Sequence, residues 1–346
     1  MKIIFSRPPR KKILIFDRNF PYLFIKTLKN KCEIMDVRKE SINLFVLFYT
    51  LINNGLKNIK KNYIISYIKL VNPKIVLTFI DNNFFFYEIK KFYSKPKYIS
   101  IQNGFRNHIF YKILKKKSLK NLIVDYCFVF GEINKRILSK FIIGKIIVFG
   151  NLKNNFIFKK KKNKYSKDIV FISQTTNSRD FFSREKIILK YLKEFCEKED
   201  IKFKVYLADN NVENRYKNYE IIKKSNNDLP KKELENYNLF TCCDSTLGYE
   251  MLSIKKKVVF LNLKKNIKLS NGKIVKGLPF GYPKTIKKDG FFWVNTNKKR
   301  LIFKTLKKVL MINKKKWNKI IRPYSKEFMV FNYNNIKLKK IIKKFL

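Results

Sequence analysis

DSTLGYE, residues 244–250, lies between two apolar runs, NLFTCC at 238–243 and KVVFL at 257–261. Spacing predicts a short helix over 246–254, because Leu247, Met251 and Ile254 fall at i, i+4 and i+7 and form an apolar stripe. Thr246 and Glu250 share a neighbouring face, so Glu250 is expected to look away from the core. It stands too far along to close a capping box with Ser245 or Thr246. What remains is a helix N-terminus with two hydroxyls, Gly248 for close backbone approach and a carboxylate one turn in. That set suits a phosphate followed by a sugar diol. An ordinary capped helix packed on a sheet is the competing reading.

Four more polar loops follow apolar runs. IDNN carries Asp81, Asn82 and Asn83; QNGFRNH runs from Gln102 to His108; GNLKNN from Gly150 to Asn155; SQTTNSR from Ser173 to Arg179. In doubly wound sheets ligands gather at the carboxyl ends of strands, which is where these loops would lie. Turn chemistry accounts for any one of them. Four together hold more amides, hydroxyls and arginines than turns require.

The elements that must position these loops are legible by period. ILIFD (13–17), CEIMDV (32–37), KIVLTFID (74–81), KYISIQ (97–102), VDYCFVFG (124–131) and KIIVFG (145–150) read as strands, with helix-length segments at 44–56, 59–71 and 132–141 between them. Alternation of this kind implies a parallel, doubly wound sheet. FKKKKNKYSKD at 158–168 breaks the pattern, and strands then resume at 168–173, 202–208, 238–243, 257–261 and 291–295. The expectation is α/β, with two Rossmann-like domains facing a cleft, at 1–157 and 168–297, a linker at 158–167 and a helical tail at 298–346 packing back.

At 346 residues both domains can hold full cores. The formal charge of +54 points first to nucleic acid, but only eleven of the 79 basic residues are arginine, the residue that bidentate phosphate and base recognition favours. No RNP, KH, zinc-finger or basic-zipper signature appears. The accompanying Ile, Asn, Phe and Tyr share A/T-rich codons with lysine, so genome composition explains part of the excess. Attraction to an anionic membrane surface is the better physical reading of the remainder. The five cysteines contain no C-x-x-C and fit buried thiols in a reduced compartment. The greasiest run, INLFVLFYTLI at 42–52, is shorter than a membrane span, and residues 1–12 lack a signal-peptide core. The expected location is cytoplasmic, peripheral at the inner face of the plasma membrane.

IDNN, IQNGFR, FGNLKNN, FISQTT, DSTLGYE, FGYP (280–283) and GFFWVN (290–295), in that order, resemble a family of bacterial surface carbohydrate biosynthesis proteins. RKESIN at 38–43 resembles its early Arg-Gly-Glu-x-Ile-Asn element, with Lys39 in place of glycine. Such families are similar to GT-B-type glycosyltransferases, which implies a nucleotide-sugar donor in the C-terminal domain and a saccharide or lipid-linked acceptor in the N-terminal one. The resemblance implies a base for the acceptor hydroxyl, Asp81 first and His108, the only histidine, second, with Asn82, Asn83, Gln102, Asn103 and Arg106 on the acceptor side. Asn103 stands where related transferases often carry histidine. Lys153, Asn154, Ser173, Gln174, Thr175, Ser245, Thr246, Gly248 and Glu250 would hold the donor. No metal ligand set is visible and no cofactor is expected beyond the nucleotide sugar as co-substrate. Alternatives are a glycerophosphate or phosphosugar transferase, a nucleotide-sugar epimerase of the same fold, and a non-catalytic sugar-nucleotide or membrane-binding module.

Overall fold

Four-residue runs such as ILIF at 13–16 and IVLT at 75–78 are buried at every position, the pattern of strands covered on both faces. The computed structural model describes residues 1–346 except 19–24, 26–27, 29–30, 39, 107, 117–120, 157–165, 175–178, 226–231, 264–265, 269–273, 277 and 285. The chain divides into two units, Met1–Phe156 with Asn332–Leu346, and Ile157–Phe331.

In the first unit the described elements are β1 (Lys2–Ile4), β2 (Ile13–Phe16), β3 (Cys32–Met35), β4 (Ser41–Asn43), α1 (Leu44–Asn54), α2 (Ile59–Val71), β5 (Ile75–Thr78), α3 (Phe84–Phe92), β6 (Lys97–Ile101), α4 (His108–Leu114), β7 (Leu122–Val129), α5 (Glu132–Leu138) and β8 (Ile142–Val148). Six of the strands form one parallel sheet in the order β3-β2-β5-β6-β7-β8, and β1 pairs with β4 in a small parallel sheet. From β2 the chain winds outward to β3, and from β5 the other way to β6. The reversal therefore falls between β2 and β5, the place where such sheets take ligands.

The RKESIN element laces the edge beside β3. Arg38 Nε donates to Asp17 Oδ2 at 2.7 Å, the Arg38 amide to Glu40 at 2.9 Å, and Ser41 Oγ to Asp36 Oδ2 at 2.6 Å. Asn43 then caps α1, accepting from the Val46 amide at 3.1 Å and donating to the Ser6 carbonyl at 2.9 Å. Its work is structural.

The second unit holds β9 (Ser166–Ile172), α6 (Arg179–Lys198), β10 (Phe203–Tyr206), β11 (Glu220–Ile222), β12 (Tyr237–Cys242), α7 (Thr246–Ser253), β13 (Lys257–Leu261), the antiparallel pair β14 (Asn266–Lys268) and β15 (Ile274–Lys276), β16 (Trp293–Val294), α8 (Lys299–Met311) and α9 (Lys314–Phe328). Its parallel sheet has the order β11-β10-β9-β12-β13-β16, with the reversal between β9 and β12. Both units are thus Rossmann-like.

The segment read as one helical tail from 298 is divided: α8 and α9 belong to the second unit, and only α10 (Ile336–Phe345) joins the first. Leu338 and Ile342 of α10 enter the core of Ile13, Leu77, Ile99 and Phe128. Asn155 and Asn335, both fully buried, fasten the join. Asn155 Nδ2 donates to Asn335 Oδ1 at 3.0 Å, Asn335 Nδ2 to the Leu152 carbonyl at 3.1 Å, and the Asn332 amide to Asn155 Oδ1 at 2.8 Å. Among the described residues no helix is long and apolar enough to cross a membrane.

Candidate active site

At the reversal of the first sheet, the chain leaving β5 delivers Asp81, buried, to the loop that follows β6. Arg106 holds it with both ends of its fork, Nε donating to Oδ2 at 3.0 Å and Nη2 to Oδ1, and the Asn103 amide adds a bond to Oδ1 at 3.2 Å. Arg106 Nη2 also donates to Asn103 Oδ1 at 2.6 Å, and its guanidinium lies 5.4 Å from the Phe110 ring centre. Both carboxylate oxygens are thereby engaged. Asp81, expected as the proton acceptor, thus has Arg106 and the Asn103 amide as its hydrogen-bond partners. Its visible role is to fold the QNGFR loop onto the end of β5.

Gln102 is likewise occupied: buried, it receives the Phe130 amide at 2.9 Å and donates to the Gly104 carbonyl at 3.1 Å, tying β6 to the end of β7. Tyr87 donates to the Asp81 carbonyl at 2.9 Å and lies 2.8 Å from Ser100 Oγ; burial pushes its phenol well up, so it stays protonated. Asn82 and Asn103 are exposed and Asn83 half-exposed, so these three carry amides at the surface of this end of the sheet. The His108 side chain lies outside the described residues; its backbone opens α4. Lys153 and Asn154, expected on the donor side, fall in the first unit, in the turn after β8 that pins α10.

At the reversal of the second sheet the polar groups come from four separate segments. Gln174, just after β9, donates through Nε2 to Asp244 Oδ1 at 2.6 Å, and Asp244 follows β12. Arg184 from α6, fully buried, donates to the same Asp244 oxygen at 3.1 Å and to Asn262 Oδ1, after β13, at 3.1 Å. Asp244 Oδ2 accepts the Leu278 amide at 3.3 Å. Beside this lock, Glu185 accepts the Gln174 amide at 3.0 Å and the Tyr216 hydroxyl at 2.5 Å. Burial raises the Glu185 carboxyl to about 7, against the opposing pull of Tyr216 and Arg184. Ser173 Oγ accepts the Ala208 amide at 3.0 Å, fixing the end of β9 to that of β10. Thr175 lies outside the described residues.

Ser245 caps α7, its Oγ accepting the Leu247 amide at 3.3 Å, and Thr246 opens the helix at the reversal. Two expectations for this stretch change. Glu250 is 7% exposed, so it does not look out to solvent; its charge acts on Tyr206, whose phenol is pushed up by burial first, then by Glu233 and Glu250. The whole of α7 from Leu247 on is buried because it packs on β12 and β13 and also against α9. Gly248 serves packing: a Cβ there would collide with the Cys242 sulfur and the Phe260 ring, so glycine lets α7 lie close on the sheet. FGYP and GFFWVN are structural too. Phe280 stacks on Tyr249 at 5.6 Å and packs edge-on against Phe292 at 5.1 Å, while Asn295 accepts the Phe280 amide at 3.2 Å and Tyr249 the Gly281 amide at 3.2 Å.

The missed residues are Arg184, Glu185, Asp244 and Asn262. Asp244 and Asn262 stood at strand ends, in the positions already singled out for ligands. Arg184 and Glu185 carried a quieter signal: they lie on the same helix stripe as Ile188, Leu189, Leu192 and Cys196, all of which are buried.

A family model described as an O-antigen biosynthesis protein matches residues 99–346, most of the chain, and the protein belongs to that family. A search of curated proteins finds no match. Among solved structures, the wall teichoic acid polymerase TagF soaked with CDPG is similar over 97% of this chain and 88% of its own, at 11% identity and a TM-score of 0.53. A glycosyltransferase from Rickettsia africae matches over 97% and 98%, at 13% identity and 0.52. A protein described as UDP-N-acetylglucosamine 2-epimerase from Listeria monocytogenes matches over 96% of both chains, at 13% identity and 0.55. At these identities the likeness establishes the fold alone: two Rossmann-like units, with GT-B enzymes among the structures it resembles.

Proposed function

We propose that the protein is a glycosyltransferase of surface polysaccharide or lipopolysaccharide assembly, moving a sugar from a nucleotide-sugar donor to a saccharide or lipid-linked acceptor. The observation that carries the reading is the Gln174–Arg184–Asp244–Asn262 lock, which sets the capped N-terminus of α7 at the reversal of the second sheet. A helix N-terminus at a sheet reversal suits a diphosphate, since the helix dipole favours negative charge there. Ser245 and Thr246 would meet the phosphates, Ser173 and Gln174 would border them, and Glu250 would take sugar or ribose hydroxyls.

On the first unit, Asn82, Asn83 and Asn103 would bind acceptor hydroxyls. Asp81 would act by positioning the Asn103–Arg106 loop, which leaves His108, two residues beyond Arg106, as the group to take the acceptor proton; an imidazole titrates close to neutral pH. Sugar transfer needs a base for the acceptor hydroxyl and fixed donors for the leaving diphosphate.

Calorimetry of the folded Glu250→Gln protein against a panel of nucleotides and nucleotide sugars tests the donor assignment. Loss of a hydrogen bond to a charged group costs about 1.5–3 kcal/mol, roughly tenfold to a hundredfold in affinity. Because Glu250 is buried, melting temperature should change as well, so binding is compared at a temperature where both proteins are folded. Undiminished affinity would remove Glu250 from the donor site, and failure of every nucleotide sugar to bind the wild type would sink the reading itself.

A further inference from the structure

Large apolar side chains stand in solvent along one side of α1. Phe45, Phe48 and Ile52 fall at i, i+3 and i+7, with exposures of 38%, 62% and 84%, while Val46 and Thr50 on the opposite side are buried. Gly55 ends the helix and Leu56, 78% exposed, follows directly. α1 packs on β1, which adds Ile3 at 50% and, just beyond, Phe5 at 72%. A soluble domain seldom leaves so many large apolar groups together without a partner for them.

The charge around this face selects the partner. Residues 41–80 contain five lysines and no aspartate or glutamate, and Lys57 and Lys60 stand exposed at the start of α2. A symmetric contact with a second copy would bring two such lysine sets into one interface, with no carboxylate from residues 41–80 to offset them. An anionic bilayer supplies what the face lacks: an apolar interior for the phenylalanines and negative headgroups for the lysines. Eleven residues of helix cannot span the hydrocarbon, so α1 would lie in the interface.

We propose that the exposed face of α1, with Leu56 and the lysines that follow it, docks the protein on an anionic lipid bilayer. The inference rests on surface residues of the first unit alone and is independent of the donor assignment.

Flotation of the full chain with vesicles of phosphatidylglycerol and phosphatidylcholine, against phosphatidylcholine alone, reads the interaction. Phe48→Ser with Ile52→Ser is expected to lower partitioning onto the anionic vesicles by about tenfold or more, and Lys57→Gln with Lys60→Gln and Lys61→Gln by about tenfold or more. Wild-type affinity in the serine variant, or equal wild-type binding to both vesicle types, overturns the proposal. So does a wild-type dimer that the serine variant converts to monomer, since a second copy would then cover the face. Phe48→Trp gives an independent readout, because the two native tryptophans, Trp293 and Trp317, are buried. Emission from the new tryptophan should shift to the blue and be quenched by brominated lipid; an unshifted, unquenched signal also overturns the proposal.

Discussion

The two sheet reversals place an aspartate after a central strand, yet Asp81 and Asp244 are held in opposite ways. Asp81 is closed by one arginine from the neighbouring loop, 25 residues on, within a knot that ties β5 to β6. Asp244 collects Gln174 from 70 residues away, Arg184 from 60 and the Leu278 amide from 34, so one carboxylate joins the β9 loop, α6 and the segment before FGYP. The first arrangement is a local clasp. The second is a keystone for a wall, and its loss should be felt by every element it joins. The clasp holds one loop, whereas the keystone beneath the N-terminus of α7 ties several elements together there at once.

The largest expected effect is therefore in the second unit. Arg184→Ala removes the fully buried member of an ion pair whose Asp244 is partly exposed, and leaves Asp244 and Asn262 without this donor, which should cost about 3 kcal/mol in urea unfolding. A cost under about 1 kcal/mol would reduce the keystone to an ordinary surface pair.

Next comes the pH dependence of the same wall. Glu185 titrates at about 7 when folded, above its ordinary value, because burial disfavours the charged form. The folded state keeps this proton where the unfolded state has lost it, so the contribution is fully present below about pH 4.5 and disappears as pH rises through about 7. The span corresponds to on the order of 3 kcal/mol. Glu185→Gln, which mimics the protonated carboxyl, should be the more stable protein at pH 8 and should flatten this slope. Parallel stability curves for the two proteins across pH 5–8 would show that Glu185 does not carry it.

Smallest is the clasp. Asp81→Asn keeps one acceptor oxygen for Arg106 and loses a charge-assisted bond, about 2 kcal/mol. Turnover should fall because the Asn103–Arg106 loop loosens, while the pH profile of kcat/KM keeps its shape. Loss of the low-pH limb of the activity profile in Asp81→Asn, with stability unchanged, would instead make Asp81 the proton acceptor.

Legibility differed between these regions for physical reasons. Strand runs such as ILIF and KVVFL announce themselves, because a sheet covered on both faces requires apolar residues at every position. Ser173, Gln174 and Ser245 were visible because polar residues that end such runs must lie at strand ends. Glu250 was misplaced because a helical wheel shows only one buried stripe, and α7 is enclosed on two sides. Arg184 and Glu185 were hidden in RDFFSREKIILKYLKEFCEK, where they resemble the solvent-facing charges of the same helix.

By itself the sequence determined two wound sheets and the loops that lie at their carboxyl ends, since these follow from hydrophobic period and from where polar residues interrupt it. It also carried the family through the order of its motifs. Tertiary structure alone decided which carboxylates are spent and on what. Strand order set the reversals, β2 beside β5 and β9 beside β12, and so brought Asp81 to Arg106, and Asp244 to Gln174 and Arg184. A charge in a sequence carries no record of its partner; the pairing is fixed only when packing removes water and leaves each buried carboxylate a single set of donors within reach.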